Sequence, residues 1–207
     1  MGITLMVTIL LARYLGPEQF GILAYAISLV SLFAIAGHAG LSGLVVRELV
    51  RYPELKEETM GTSFFLKGAG YLIGFLLLLA FVFYTEEQKS DEFWVLIILT
   101  VTLFFLPFNV IDFWFQSRLE GKYTAVSNTL AILISSALKV GLVFFGAHLV
   151  FFALANLVQA IIGALLLIVF YRYRSKLSLK KWQFSLSRAK ELMSQGWMVF
   201  LGSIFAV

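Results

Sequence analysis

Over most of this chain the hydrophobic positions neither alternate with polar ones nor recur at a helical period; they run on without interruption. Stretches free of Asp, Glu, Lys and Arg extend over Phe20–Val46 (27 residues), Gly68–Thr85 (18), Phe93–Ile111 (19), Tyr123–Leu138 (16) and Val140–Tyr171 (32). At 1.5 Å per residue, about 20 residues cross the roughly 30 Å hydrocarbon layer, and a helix apolar on every face has lipid for a partner. The pattern predicts an all-α polytopic transmembrane helical bundle. Hydropathy places a short first helix over 1–12, further helices over 20–41, 63–84, 93–115, 124–145 and 149–171, and the start of a seventh near Trp197. The longest run is divided at Gly146-Ala147-His148, because it exceeds one span and glycine favours a turn. A β-barrel is excluded, since its strands alternate lipid-facing and lumen-facing residues.

Composition agrees with this reading. The chain has 207 residues, 60% apolar and 14% charged, against about 45–50% and about 25% in soluble domains. The absence of Cys removes disulfides, thiolate metal sites and thiol nucleophiles. His38 and His148 are too few for a His-rich metal cluster, and no cofactor is expected.

A formal charge of +4 could suggest nucleic acid in a soluble protein; here the distribution matters more, and no nucleic-acid partner is expected. Thirteen of the sixteen Lys and Arg residues fall in the connections after helices two, four and six: Arg47, Arg51, Lys56 and Lys67, then Arg118 and Lys122, then the cations from Arg172 to Lys190. The alternate connections hold only Arg13 and Lys89. The positive-inside rule therefore places the amino terminus and those three connections in the cytoplasm, and the loop with Glu86, Glu87, Asp91 and Glu92 outside. The expected location is the plasma membrane, multi-pass. The first apolar segment lacks the basic flank and small-residue cleavage site of a signal peptide, so it reads as the downstream half of a membrane helix. On that reading the sequence is truncated at both ends.

Several residues carry more specific expectations. The segment 176–195 mixes Trp182, Phe184, Leu186, Leu192 and Met193 with cations, which suits an interfacial linker in the headgroup layer or, as a sharper alternative, a site for a phosphorylated lipid. Gly37, Gly40 and Gly43, and the Gly70/Gly74 pair, have the small-residue spacing of close helix packing. His38 reads as a packing residue and Pro107 as a bend in helix four. Arg47, Glu48 and Arg51 read as a solvated membrane exit. Asp112 lies about 15 Å along its helix from Lys122, and Lys139 about 25 Å from it along the next. Both charges need water or polar partners at such depth, and a direct pair would require the lysine to reach inward.

The stretch Leu11-Ala-Arg-Tyr-Leu-Gly-Pro-Glu-Gln-Phe-Gly21, the stretch Gly40-Leu-Ser-Gly-Leu-Val-Val-Arg-Glu-Leu-Val-Arg51, and Asp112-Phe-Trp-Phe-Gln-Ser-Arg118 together resemble the polysaccharide-transporter branch of the multidrug/oligosaccharidyl-lipid/polysaccharide exporter superfamily, the Wzx-type flippases. The resemblance implies the first lobe of a MATE-like two-lobed transporter. It divides the chain into a six-helix membrane lobe over 1–171, a basic amphipathic interlobe linker over 172–196 and the start of helix seven over 197–207. It also implies a cargo, undecaprenyl-diphosphate-linked oligosaccharide, carried across the membrane for O-antigen, capsule or exopolysaccharide synthesis. Membrane lipids, a polysaccharide polymerase and assembly proteins are the expected neighbours. By position, Arg13, Arg47, Arg51, Arg118 and Lys139 are candidates for attracting phosphate or sugar, and Asp112 and Gln116 for bonding sugar hydroxyls. The rivals are a cation-coupled multidrug exporter of the same superfamily, a membrane-embedded enzyme acting on the same lipid-linked sugars, and a non-transporting fragment. The short outward loops hold no paired carboxylates with a base or metal ligands, so an enzyme is not expected.

Overall fold

The computed structural model describes residues 2–38, 41–85, 90–175 and 181–205. Among these residues there is no strand. The elements are α1 (Gly2–His38), α2 (Leu41–Arg51), a 3₁₀ turn (Pro53–Leu55), α3 (Lys56–Thr85), α4 (Asp91–Val101), a 3₁₀ stretch (Thr102–Asn109), α5 (Val110–Ser117), α6 (Lys122–Phe144), α7 (Leu149–Ser175) and α8 (Leu186–Phe205). Five helical segments are long and apolar enough to cross a membrane: Gly2–Gly37, Pro53–Thr85, Asp91–Ser117, Lys122–Phe144 and Leu149–Ser175.

Four boundaries depart from the hydropathy reading, each for an identifiable reason. The connection expected over 13–19 is helical, and α1 is broken at one residue, Gly16, with φ 73° and ψ 174°. Glycine takes positive φ without a Cβ penalty, and Pro17 suits the first turn of the next helical arm. The helix expected to start at 63 starts at Lys56 instead, with Glu57 and Glu58 in its first turn where the helix dipole favours them. Lys67, counted from sequence among the loop cations, therefore sits three turns inside α3 and is buried. Helix four is interrupted by the 3₁₀ stretch that contains Pro107, whose missing N–H breaks the helical ladder. Finally, α8 begins at Leu186, well ahead of Trp197.

The glycine spacing in α3 does what small residues do in lipid. A Cβ at Gly70 would strike the Ala36 carbonyl, and one at Gly74 the Phe33 carbonyl, so α1 and α3 pass in van der Waals contact and run antiparallel. A Cβ at Gly37 would strike the Tyr71 ring. Gly43 faces open space, and Gly40 and the His38 side chain lie outside what is described.

Two cores result. The first joins α1, α3, α4 and α7 through aliphatic residues such as Leu23, Leu78, Val95, Leu96 and Leu103, with Phe152. It extends toward an end marked by His148 Nε2 at 3.3 Å from Asp91 and by the Tyr14 hydroxyl donating to the Ala147 carbonyl at 3.1 Å. The second joins α2, α5, the start of α3, the end of α7 and α8 through Met60, Trp114, Phe115, Tyr171 and Leu192. Most of the described cations gather around it. We call these the acidic and the basic ends.

The segment leading into α8 is docked on the protein. Gln183 N–H donates to the Glu57 carbonyl (3.2 Å) and Ser185 N–H to the Thr62 hydroxyl (3.1 Å). Gly61 is where this strand of chain crosses α3, since a Cβ there would strike the Gln183 backbone. Trp182 packs between Phe64 and Tyr171 and donates its indole N–H to the Tyr171 hydroxyl (3.2 Å). The indole expected in the headgroup layer is thus largely occupied by protein, whereas Phe184 stays half-exposed against Phe65. Residues 176–180, with Lys176 and Lys180, lie outside the described residues.

Candidate functional site

Between α1, the 3₁₀ stretch, α6 and α7 lies a cavity of about 500 Å³. Small residues open the space, among them Ala131, Ala160, Gly163 and Ala164. Polar groups from every wall point to its chemistry: Ser31, Thr102, Asn109, Asn128, Asn156 and Gln159. No lining residue carries a formal charge. The Ser31 and Thr102 hydroxyls donate to carbonyls within their own helical segments, Ile27 and Leu99. The side chains of Asn109, Asn128 and Gln159 make no hydrogen bond to the other described residues. Three free amides, each able to donate and accept, therefore face a space within the membrane-spanning zone.

Lys139 adjoins this cavity. Its ammonium donates to Asn156 Oδ1 at 2.9 Å, while Asn156 Nδ2 donates to the Phe152 carbonyl at 2.9 Å. The charge thus has a polar partner on α7, which a charge at membrane depth requires. Asp112 is placed elsewhere: its carboxylate accepts from Gln116 Nε2 at 2.7 Å, one turn on. Lys67 lies within electrostatic reach of Asp112, and its ammonium is 4.7 Å from the centre of the Phe113 ring. Lys67 is one of the buried charges that sequence reasoning missed, with Glu48 and Arg188. Polar residues around Thr59 and Ser63 depress the local hydropathy, so only the acidic first turn could have revealed that the helix starts before it.

At the basic end, α2 is amphipathic and turns Leu41, Leu44, Val45, Glu48 and Leu49 inward. Glu48, read from sequence as part of a solvated exit, is 3% exposed. It accepts from Arg188 of α8 at 3.2 Å; Arg188 also binds Glu191 at 2.7 Å and packs on the Tyr52 ring. One Arg188 nitrogen, Nη2, is buried without a hydrogen-bond partner. Arg47 binds both Glu48 (3.3 Å) and Gln195. Arg51 is exposed beside Tyr52 and Arg118 lies over Trp114, at 4.8 Å from the ring centre. Arg13 is exposed one turn before the Gly16 break, remote from this group.

The structure therefore sorts the seven candidates into separate places. Arg47, Arg51, Asp112, Gln116 and Arg118 lie on the packed pair α2 and α5 or at its edge, Lys139 lies beside the cavity, and Arg13 stands apart toward the acidic end.

Among known proteins, no curated sequence and no solved structure shows significant similarity to this chain. A family model does: that described as "Polysaccharide biosynthesis protein" matches residues 1–207. With a match over the whole sequence and a helical, membrane-spanning architecture, the chain belongs to the polysaccharide biosynthesis protein family, the family of Wzx-type polysaccharide flippases.

Proposed function

We propose that this chain is the first lobe of a MATE-like flippase that carries undecaprenyl-diphosphate-linked oligosaccharide across the plasma membrane. In that reading it is a transporter and not an enzyme, with its basic end and amino terminus in the cytoplasm. The supporting observation is the uncharged, amide-lined cavity. Sugar hydroxyls need neighbours that both donate and accept, and Asn109, Asn128 and Gln159 offer both without the desolvation cost of a buried charge. Lys139, held beside the cavity by Asn156, supplies positive charge for a diphosphate without forming a fixed ion pair. Arg47, Arg51 and Arg118 would draw the anionic headgroup toward the basic end while its apolar tail stays in lipid. Asp112 and Gln116, bonded to each other, would contact sugar hydroxyls near that end.

The test is delivery of lipid-linked sugar to the outer leaflet by the full-length transporter at matched expression. Asn128→Leu and Gln159→Leu should each reduce delivery, and Lys139→Gln should reduce it more than Lys139→Arg. Asp112→Asn should leave partial delivery, whereas an ion-coupled exporter would lose most of its transport. Wild-type delivery by both leucine variants would overturn the role of the cavity.

A further inference from the structure

A second, smaller cavity of about 200 Å³ opens at the basic end, between the C-terminal turn of α2, the 3₁₀ turn at Pro53 and the end of α5. Its walls carry two cations, Lys56 and Arg118, and no carboxylate. Neither cation has a carboxylate within ion-pair distance among the described residues, whereas Arg47, Arg174 and Arg188 are all paired. Glu120, the carboxylate nearest Arg118 in sequence, is turned to Arg174 through contacts at 2.7, 3.0 and 3.1 Å, and Glu54, Glu57 and Glu58, the neighbours of Lys56, are not among the lining residues. The rest of the wall is mostly apolar: Leu49, Val50, Pro53 and Trp114, with the hydroxyl-bearing Ser117. Val50 and Leu119 nearby are exposed, at 60% and 96%.

Depth selects the ligand. Pro53 begins one candidate span and Ser117 ends another, so the cavity lies where hydrocarbon gives way to headgroups. Two unpaired cations above an apolar rim in that layer match a phosphate carried on an acyl chain. We propose that this cavity binds the phosphate group of an anionic membrane lipid, with Lys56 and Arg118 as its charge partners and Leu49, Val50 and Trp114 against the glycerol and upper acyl chain. The site stands apart from the amide-lined cavity and shares Arg118 with the headgroup path proposed above, so its test reads lipid binding by the chain and not transport.

Native mass spectrometry of the chain in neutral detergent, titrated with dioctanoyl phosphatidic acid, measures it. Lys56→Gln and Arg118→Gln should each weaken binding about tenfold, as expected for one charge-assisted hydrogen bond. Arg118→Lys should retain more affinity than Arg118→Gln. Dioctanoyl phosphatidylcholine should bind less tightly than phosphatidic acid. Arg172→Gln, an exposed cation outside the cavity, should leave binding unchanged, with thermal midpoints confirming that all variants fold. Competition by inorganic phosphate would assign recognition to the phosphate alone, and its failure to compete would assign it to the intact lipid; both support the site. Undiminished binding in Lys56→Gln and Arg118→Gln, or an equal loss in Arg172→Gln, would overturn it.

Discussion

The aliphatic core toward the acidic end and the aromatic core toward the basic end hold helices together by different physics. In the first, Leu78, Leu96 and Val95 face neighbours no more apolar than lipid, so water exclusion contributes little and close approach decides. Gly70 and Gly74 supply that approach by letting α3 touch the backbone of α1. In the second, large rings surround charged side chains, and each charge that is buried among the described residues has a partner: Glu48 and Arg188 meet each other, and Lys67 meets the Phe113 face and the field of Asp112. The lesson is that this fold tolerates charge where a second element delivers the counter-group. Lys139 obeys the same rule within α6, using an amide instead of a carboxylate.

The contrast can be broken most forcefully at Glu48. Glu48→Gln removes the buried one of the two carboxylates that hold Arg188, with Glu191 remaining at 2.7 Å, so the loss should lie at the low end of the about 3–5 kcal/mol that removing one partner of a buried pair costs. Denaturant unfolding in detergent should show that loss, and Glu48→Met with Arg188→Leu should recover most of it. Stability unchanged in Glu48→Gln would mean that the two cores do not differ in kind.

At the other core the decisive change is steric. Gly70→Leu should cost about 1–3 kcal/mol by forcing α1 and α3 apart. Gly21→Leu, where an added Cβ meets open space, serves as the reference in the same unfolding experiment. Equal behaviour of the two variants would remove the case for contact-driven packing.

A smaller effect sharpens the description of the basic end. Trp182→Phe keeps the ring stack on Phe64 and deletes the hydrogen bond to Tyr171, with an expected loss of about 0.5–1.5 kcal/mol. Trp182→Ser should lose considerably more, because the ring goes too.

The smallest effect is one of pH. The side-chain hydrogen bond from Arg174, followed by that guanidinium's charge, holds the Glu120 carboxyl below the usual carboxylate range. Its folded-state pKa is depressed, so its stabilisation is complete above the unfolded value and lost as pH falls through the folded one. Glu120→Gln should lose that stabilisation at neutral pH and so flatten the acid limb in thermal unfolding followed against pH.

Hydropathy alone located the membrane crossings, since uninterrupted apolar runs have few other uses, and the blocks around Arg13, Arg47 and Asp112 carried the family resemblance. The Gly70/Gly74 contact was legible for a similar reason: a glycine pair four residues apart has one common use in lipid. Helix starts among polar residues were not legible, because Lys56–Ser63 scores as a loop until its burial against neighbours is known. That misplaced Lys67.

What the sequence determined, then, was which segments are apolar enough to cross a membrane and at which end of the bundle most cations cluster, because both follow from properties that each segment carries by itself. What only the tertiary structure decided was which charges are spoken for. Glu48 is bound because α8 folds back to bring Arg188, Lys139 because α7 presents Asn156, and Asn109, Asn128 and Gln159 have no hydrogen-bond partner among the described residues because they line a cavity between segments. Partnership depends on residues far apart along the chain, and no local property of either partner encodes the distance between them.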